Sequence, residues 1–460
     1  MITTDASLRS LARAAIPSIA VVAAAAMGAL MARQSLAVLS ILFVAAVASL
    51  YIWRPLPFLM AVLAARPVLD VADNVGTQIP GFSRLLNLNA ALSLVIIGGS
   101  FAYALVRVRT LRLDATAGWF GVFAGLAALS LLPSIDRSAT MVDVLKLLSY
   151  GCVYVVLVNE LNTARDGYLI VGSVFAATII PVAASLYQAI NRLGVTAPEF
   201  SFFEYTRTNG TFVEPVSEAI FLLIPLTLAI CLCLAKELRQ AERVLYLGFI
   251  CLCLPPFYLT LARGPWIGFI VGLFVIGLVR KPWLAIGLPV LLALVLIAVP
   301  DVLARFSTIS TDAADASVSS VANRLVIWRA SISLFLRSPI WGSGFGAANL
   351  EAGRLAFGYG IQTHNDYLRL LADVGVVGFV TNLLLMGAVL ARSWRSLLST
   401  CDVRLQHICL GFVGVWVALM VIRISDNTLT NSISQFTFWG LAGVVAACPR
   451  WQTRMAPRRG

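Results

Sequence analysis

The chain has 460 residues, 60% of them hydrophobic and only 12% charged, with a formal net charge of +12. A soluble domain carries roughly a quarter charged residues, so this composition excludes a water-solvated globule and points to a chain solvated by lipid. The positive balance does not indicate nucleic acid: the basic residues stand in short segments between apolar runs with no RNA- or DNA-binding module among them, and topology and anionic headgroups account for them.

One helical crossing of a bilayer core takes roughly 20 apolar residues. Runs of that kind centre on 15–31, 36–52, 56–69, 88–106, 115–132, 141–160, 168–190, 217–235, 244–261, 265–279, 283–299, 367–391, 408–424 and 433–448, with the third and tenth the shortest. They predict an all-α, polytopic integral membrane protein, a single transmembrane domain over 1–460 with about 12–14 spans. The first run resembles a signal peptide but is followed at once by another run without a convincing small-residue cleavage site, and reads as a retained helix.

Alternation from a cytoplasmic N-terminus puts the clusters Arg107/Arg109/Arg112, Lys236/Arg239/Arg243, Arg280/Lys281, Arg392/Arg395/Arg404 and Arg450/Arg454/Arg458/Arg459 inside, with both termini. The entire net charge then falls on the cytoplasmic side, as the positive-inside rule requires. Two long segments are left outside, 191–217 and 300–366. The second begins with the polar run Ser307–Ser320 and continues into Asn323–Leu336, too short and too charged to span; it predicts an interfacial helix with Arg324, Trp328 and Arg329 near headgroups.

The eight cysteines fall mostly in apolar runs and imply no disulfide framework, and the two C-x-C pairs read as apolar fillers. The glycines of G-S-G-F-G (Gly342, Gly344, Gly346) lack a preceding strand and an acidic partner, so they read as a loop and not as a dinucleotide site. No metal-ligand spacing stands in an outer loop, so neither metal nor cofactor is expected.

Charge beside a membrane helix needs a reason. Arg66 and Arg423 have acids nearby, Asp70 and Asp426, and read as structural pairs. Arg263, in L-T-L-A-R-G-P-W-I-G-F, stands in a tight turn without a neighbouring carboxylate, and Arg207, in Y-T-R-T-N-G-T-F, lies on the same outer face. Two guanidinium forks suit a diphosphate. Of the two histidines, His407 follows a cytoplasmic arginine and reads as an interface residue. His364, in Q-T-H-N-D-Y-L-R-L-L-A-D-V-G, opens a helix on the outer face, where an imidazole either caps and packs or takes a proton from a hydroxyl. Asn365 and Asp366 are capping candidates.

Three blocks taken in order, L-T-L-A-R-G-P-W-I-G, R-L-V-I-W-R-A-S-I-S-L-F-L-R-S-P-I-W-G-S-G-F-G and T-H-N-D-Y-L-R-L-L-A-D-V-G-V-V-G, resemble the bacterial O-antigen ligase and repeat-unit polymerase superfamily. The resemblance covers Arg207 to Gly378 and implies a GT-C-like fold in a bacterial inner membrane, with the site on the periplasmic face and short helices in the long periplasmic loop. It implies an undecaprenyl-diphosphate-linked saccharide donor, a saccharide or lipid A-core acceptor, and metal-independent inverting transfer, alongside a chain-length regulator or a flippase. Arg207 and Arg263 would hold the diphosphate and His364 would act as base; Asp366, Arg329, Trp328 and Arg423 form a second tier, each more structural than catalytic. Where relatives read G-x-F-x-x-P-N, this chain has Val216 in place of the asparagine, while the acid usual in the helix after the histidine is present as Asp373. A-R-P-V-L-D (Ala65–Asp70) favours a polymerase of exopolysaccharide, O-antigen or capsule over a ligase, and a flippase or transporter of the same lipid-linked sugar is the rival from another class.

Overall fold

The computed structural model describes residues 49–76, 88–194, 207–235, 237–280 and 320–455, with the backbone alone at 70–76, 88–91, 320–321 and 452–455. The apolar runs 15–31 and 283–299, most of 36–52, the polar segment 307–319 and part of the segment 191–217 lie outside the described residues, as do Lys236, Lys281, Arg458 and Arg459. The described part is helical, with no strand: α1 (Pro55–Gly76), α2 (Leu88–Val106), α3 (Ala115–Leu129), α4 (Arg137–Glu160), α5 (Ala164–Ile190), α6 (Pro215–Cys233), α7 (Gln240–Leu259), α8 (Arg263–Arg280), α9 (Ser320–Arg337), α10 (Ala347–Phe357), α11 (Asp366–Ser399), α12 (Val403–Ile422) and α13 (Ser432–Met455). Seven of them, α4 to α8, α11 and α12, are long and apolar enough to cross a membrane, so the protein is a polytopic membrane protein. α8, from the short tenth run, is among them.

Helix starts follow the side chains available for capping. Asp114 accepts from Ala117 N, Asp136 from Ala139 N and Asp402 from Leu405 N, while Thr163 and Asp166 form a reciprocal capping box. The most deeply buried helices are α6, α12 and α13; α7 shows most of its surface, as a lipid-facing helix does.

Two close approaches set the position of the site. α8 and α12 run against each other through small residues: a Cβ on Gly268 would stand 2.8 Å from the Ala418 carbonyl oxygen, and one on Gly272 2.6 Å from that of Gly414. Small residues allow backbones this near in a membrane bundle. The first turn of α8 is thereby placed beside the chain leaving α12.

The second approach is a break in α11 at Gly375, whose φ is +64°. The segment 339–346 docks into the gap: Val376 N donates to Pro339 O (2.8 Å), Ser343 N to Ala372 O (2.9 Å) and Gly344 N to Asp373 O (2.9 Å). The freed groups of the broken ladder thus find partners, as buried backbone must. A Cβ at Gly375 would lie 2.2 Å from Ile340 O, and one at Gly342 2.3 Å from Asp373 O, which explains the first glycine of G-S-G-F-G and the glycine of A-D-V-G. The loop after α9 is locked to α11 in this way. α9 itself, expected near 323–336, runs from Ser320 and shares a small core (Ile327, Leu334, Ala348, Ala352, Ala372) with α10 and α11.

The ends of the bundle differ in chemistry. Arg107 pairs with Glu160 (2.9 Å), Arg404 with Glu242 (2.8 Å), Arg280 donates to Gln406, and Arg450 donates to Val158 O, all at one end. Arg207, Arg263 and His364 lie at the other. His407, expected at an interface, is instead buried in α12 with Nδ1 against Val403 O (2.7 Å), because its turn of α12 faces the packed interior.

Candidate functional site

The first cations are set by the turn between α7 and α8. Leu261 takes φ +50°, uncommon for a residue with a side chain, and is held there by its surroundings. Arg207 Nε donates to Thr260 O (2.8 Å), Thr208 N to Leu259 O (3.2 Å) and Trp266 Nε1 to Phe257 O (3.2 Å), with the Trp266 and Tyr258 rings stacked. Arg207 is therefore tied to the turn that ends in Arg263, although 56 positions separate the two in the sequence.

Beyond Arg263, α8 closes on the segment after α12. A Cβ on Gly264 would be 2.4 Å from Asp426 Oδ2, so the glycine lets the helix start reach the carboxylate. Asp426 is a hub. Its Oδ1 pairs with Arg324 Nη2 of α9 (3.3 Å) and has His364 Nδ1 at 3.7 Å, while Ser425 Oγ donates to its Oδ2 (3.1 Å). Arg263 lies within electrostatic reach of both Arg324 and Asp426. Asp426 itself is 3% exposed, whereas the Arg324 and His364 side chains are 28% and 30% exposed.

His364 also has a left-handed backbone, φ +50°, a conformation that costs free energy and persists where neighbours over-determine it. On one side Trp328 Nε1 donates to Thr363 O (3.1 Å) and Thr363 N donates to Asn349 Oδ1 (2.9 Å). On the other, Asn365 caps α11, accepting from Tyr367 N and Leu368 N (3.0 Å each). At 3.7 Å the imidazole and Asp426 are charge neighbours, not hydrogen-bonded. The ring borders a cavity of about 220 Å³ whose wall includes Asp426, Gln362, Asn427, Glu214 and Ser217.

Several expected partnerships are different. Arg423 does not pair with Asp426: it is 1% exposed, its Nη2 donates to Asn382 Oδ1 (2.8 Å), its Nε lies 3.6 Å from Asp366 Oδ2, and its guanidinium sits over the Tyr367 ring. At the end of α12, Arg423 turns inward and Asp426 faces the cavity. Asp366 is likewise no cap; fully buried, it accepts from Thr428 N (2.8 Å), Thr428 Oγ1 (2.6 Å) and Leu429 N (3.2 Å), fixing the loop that carries Asp426. Asp373 accepts from Gly346 N (2.8 Å) and pairs with Arg369, which also reaches Asp143 (2.9 Å). Arg66 donates to Ser432 Oγ (3.2 Å) and lies over the Phe436 ring, while the side chain of its expected partner Asp70 lies outside the described residues. Arg329 is exposed on α9.

Sequence reasoning missed Asp426 as the hub and Arg324 as its partner. A carboxylate just past the outer end of a span was the available signal, but its cationic neighbour is 102 residues away.

Residues 248–383, from within α7 to within α11, match the family model described as O-antigen ligase. Over that stretch, about a third of its length, the chain is similar to the O-antigen ligase family. The O-antigen ligase match takes in Arg263, Arg324, Trp328, Arg329, His364 and Asp366, and leaves Arg207 before it and Arg423 and Asp426 after it. No curated protein matches the chain. The match supports a part in polysaccharide assembly for this membrane protein.

Proposed function

We propose that the protein is a periplasmic-face glycosyltransferase of the bacterial inner membrane that polymerises repeat units carried on undecaprenyl diphosphate. The observation that carries this reading is the gathering of Arg263, Arg324 and His364 about Asp426, with Arg207 tied to the same turn. Its sidedness follows from the basic helix ends at the opposite end of the bundle, which the positive-inside rule assigns to the cytoplasm.

In the proposed reaction the imidazole of His364 takes the proton of an acceptor hydroxyl. The freed oxygen lone pair attacks the anomeric carbon of the donor, and the bond from that carbon to the phosphate oxygen breaks with its electrons on undecaprenyl diphosphate. A single displacement of this kind inverts the anomeric carbon. Arg207 and Arg263 meet the negative charge as it grows on the leaving group, which is where preorganised cations accelerate most. Asp426, 3.7 Å from Nδ1, stabilises the imidazolium by its charge, and Nε2 is left for the substrate. Positioning by the rigid turn and by the Trp328–Thr363 bond supplies the rest.

The reading is tested by reconstituting the purified protein with a defined lipid-linked oligosaccharide and following the products by mass. Polymerisation yields a ladder of repeat units on undecaprenyl diphosphate. Transfer only to lipid A-core identifies a ligase, and sugar lipid crossing the vesicle without new glycosidic bonds identifies a transporter.

A further inference from the structure

The cavity beside His364 has a lining unlike the arginine cluster. His364 and Asp426 form one side of it. Gln362, Asn427, Thr430 and Asn431 present amide and hydroxyl groups, and Glu214 and Ser217 complete the polar wall from the start of α6, with no Lys or Arg among the described lining residues. Arg324 pairs with Asp426 and Arg263 lies within its electrostatic reach, and neither is among the described lining residues of the cavity. Cations and neutral polar groups are therefore divided at the His364–Asp426 pair. A diphosphate finds no counter-charge in the cavity and meets the Glu214 carboxylate. The hydroxyls of a sugar, each both donor and acceptor, match amides and hydroxyls group for group.

Part of this lining is unsatisfied. Asn427 is 8% exposed, its Nδ2 donates to Gln362 Oε1 (2.8 Å), and its Oδ1 makes no hydrogen bond among the described residues. Buried polar side chains ordinarily find partners, and each exception calls for a cause. Gln362 Oε1 is taken up by Asn427 and by Thr430 Oγ1 (3.4 Å), while Asn431 is spent on Ser217 O and Ser434 N. Asn427 and Gln362 thus hold each other rigidly and keep one amide acceptor over. Phe212 adds an apolar surface of the kind that packs against the C–H face of a sugar ring.

We propose that this cavity is the subsite for the terminal sugar of the acceptor, with Asn427 and Gln362 reading its hydroxyl pattern. The proposal rests on the glycosyl-transfer reading above. Its volume suits one sugar unit and not a whole oligosaccharide. Whatever fills it presents its hydroxyl to His364 apart from the guanidiniums of Arg207, Arg263 and Arg324, none of which is among the described lining residues.

Saturation-transfer NMR on the full-length protein in nanodiscs, with a panel of lipid-free methyl glycosides as probe, tests this directly. At least one glycoside binds the wild type; Asn427→Ala and Gln362→Ala each weaken it about tenfold, while the affinity for undecaprenyl diphosphate, which also certifies folding, is unchanged. Glycoside binding that is absent from the wild type or unaffected by both substitutions overturns the proposal, as does loss of undecaprenyl diphosphate from both variants with their unfolding midpoints intact. A wild type that binds the glycoside through Asn427 but joins no sugars keeps the subsite and removes the transferase reading.

Discussion

Two groups of charged side chains stand at the same end of the bundle and behave differently. In one, Arg423 with Asp366 and Arg369 with Asp373 are all 0–1% exposed, and they tie the helix ends to one another. In the other, a buried Asp426 holds Arg324 and His364, whose side chains are both open to solvent, with His364 also lining the cavity. Both groups draw on a single run of sequence, T-H-N-D-Y-L-R-L-L-A-D: His364 belongs to the open group, and Asp366, Arg369 and Asp373 to the closed one. Charge in a membrane protein is thus not by itself a mark of chemistry. Access is what separates the two groups, because a guanidinium 1% exposed is out of reach of a substrate.

The sharpest way to break the comparison is to open the closed group. Asp366→Ala strands Arg423 and frees Thr428 and Leu429, and removing one partner of a buried pair costs about 3–5 kcal/mol. The expected outcome is a large fall in the thermal unfolding midpoint in detergent and little protein recovered from membranes. In the open group, Asp426→Asn keeps the shape of the hub but removes the charge facing Arg324, Arg263 and the imidazole. The expected outcome is a fall in kcat of roughly 10–100-fold, the worth of about 1.5–3 kcal/mol for a charged contact, with the midpoint unchanged. Trp328→Phe loses one hydrogen bond, about 0.5–1.5 kcal/mol, from the residue preceding His364. It is expected to lower kcat a few-fold with KM for the donor unmoved. Arg329→Ala, on the exposed face of α9, is expected to leave midpoint and rate within the scatter of the wild type.

Much of the fold is legible in the sequence because lipid demands long apolar runs, and those runs in the described part became helices close to where hydropathy sets them. Arg263 stood out for a physical reason as well: a cation between two apolar runs without an acid beside it must meet its counter-charge from elsewhere. The partnerships were not legible. Arg423 and Asp426 are three residues apart and read as a pair, yet the end of α12 sends one inward and the other into the cavity. The true partner of Asp426 comes from α9, and that of Asp366 from the far end of α12, contacts made by tertiary packing alone. The break in α11 was similarly hidden, since Gly375 shows itself only when the loop 339–346 is seen filling it.

The central claim is that His364 performs chemistry and holds nothing together, in contrast to Asp366 two residues later. Its most direct test is His364→Ala assayed twice on one preparation, for unfolding midpoint and for glycosidic bond formation from lipid-linked donor. The expected result is a wild-type midpoint with bond formation lowered about 10²–10⁴-fold, the usual worth of a general base. A variant that still joins sugars at the wild-type rate, or one that unfolds as Asp366→Ala does, would contradict it.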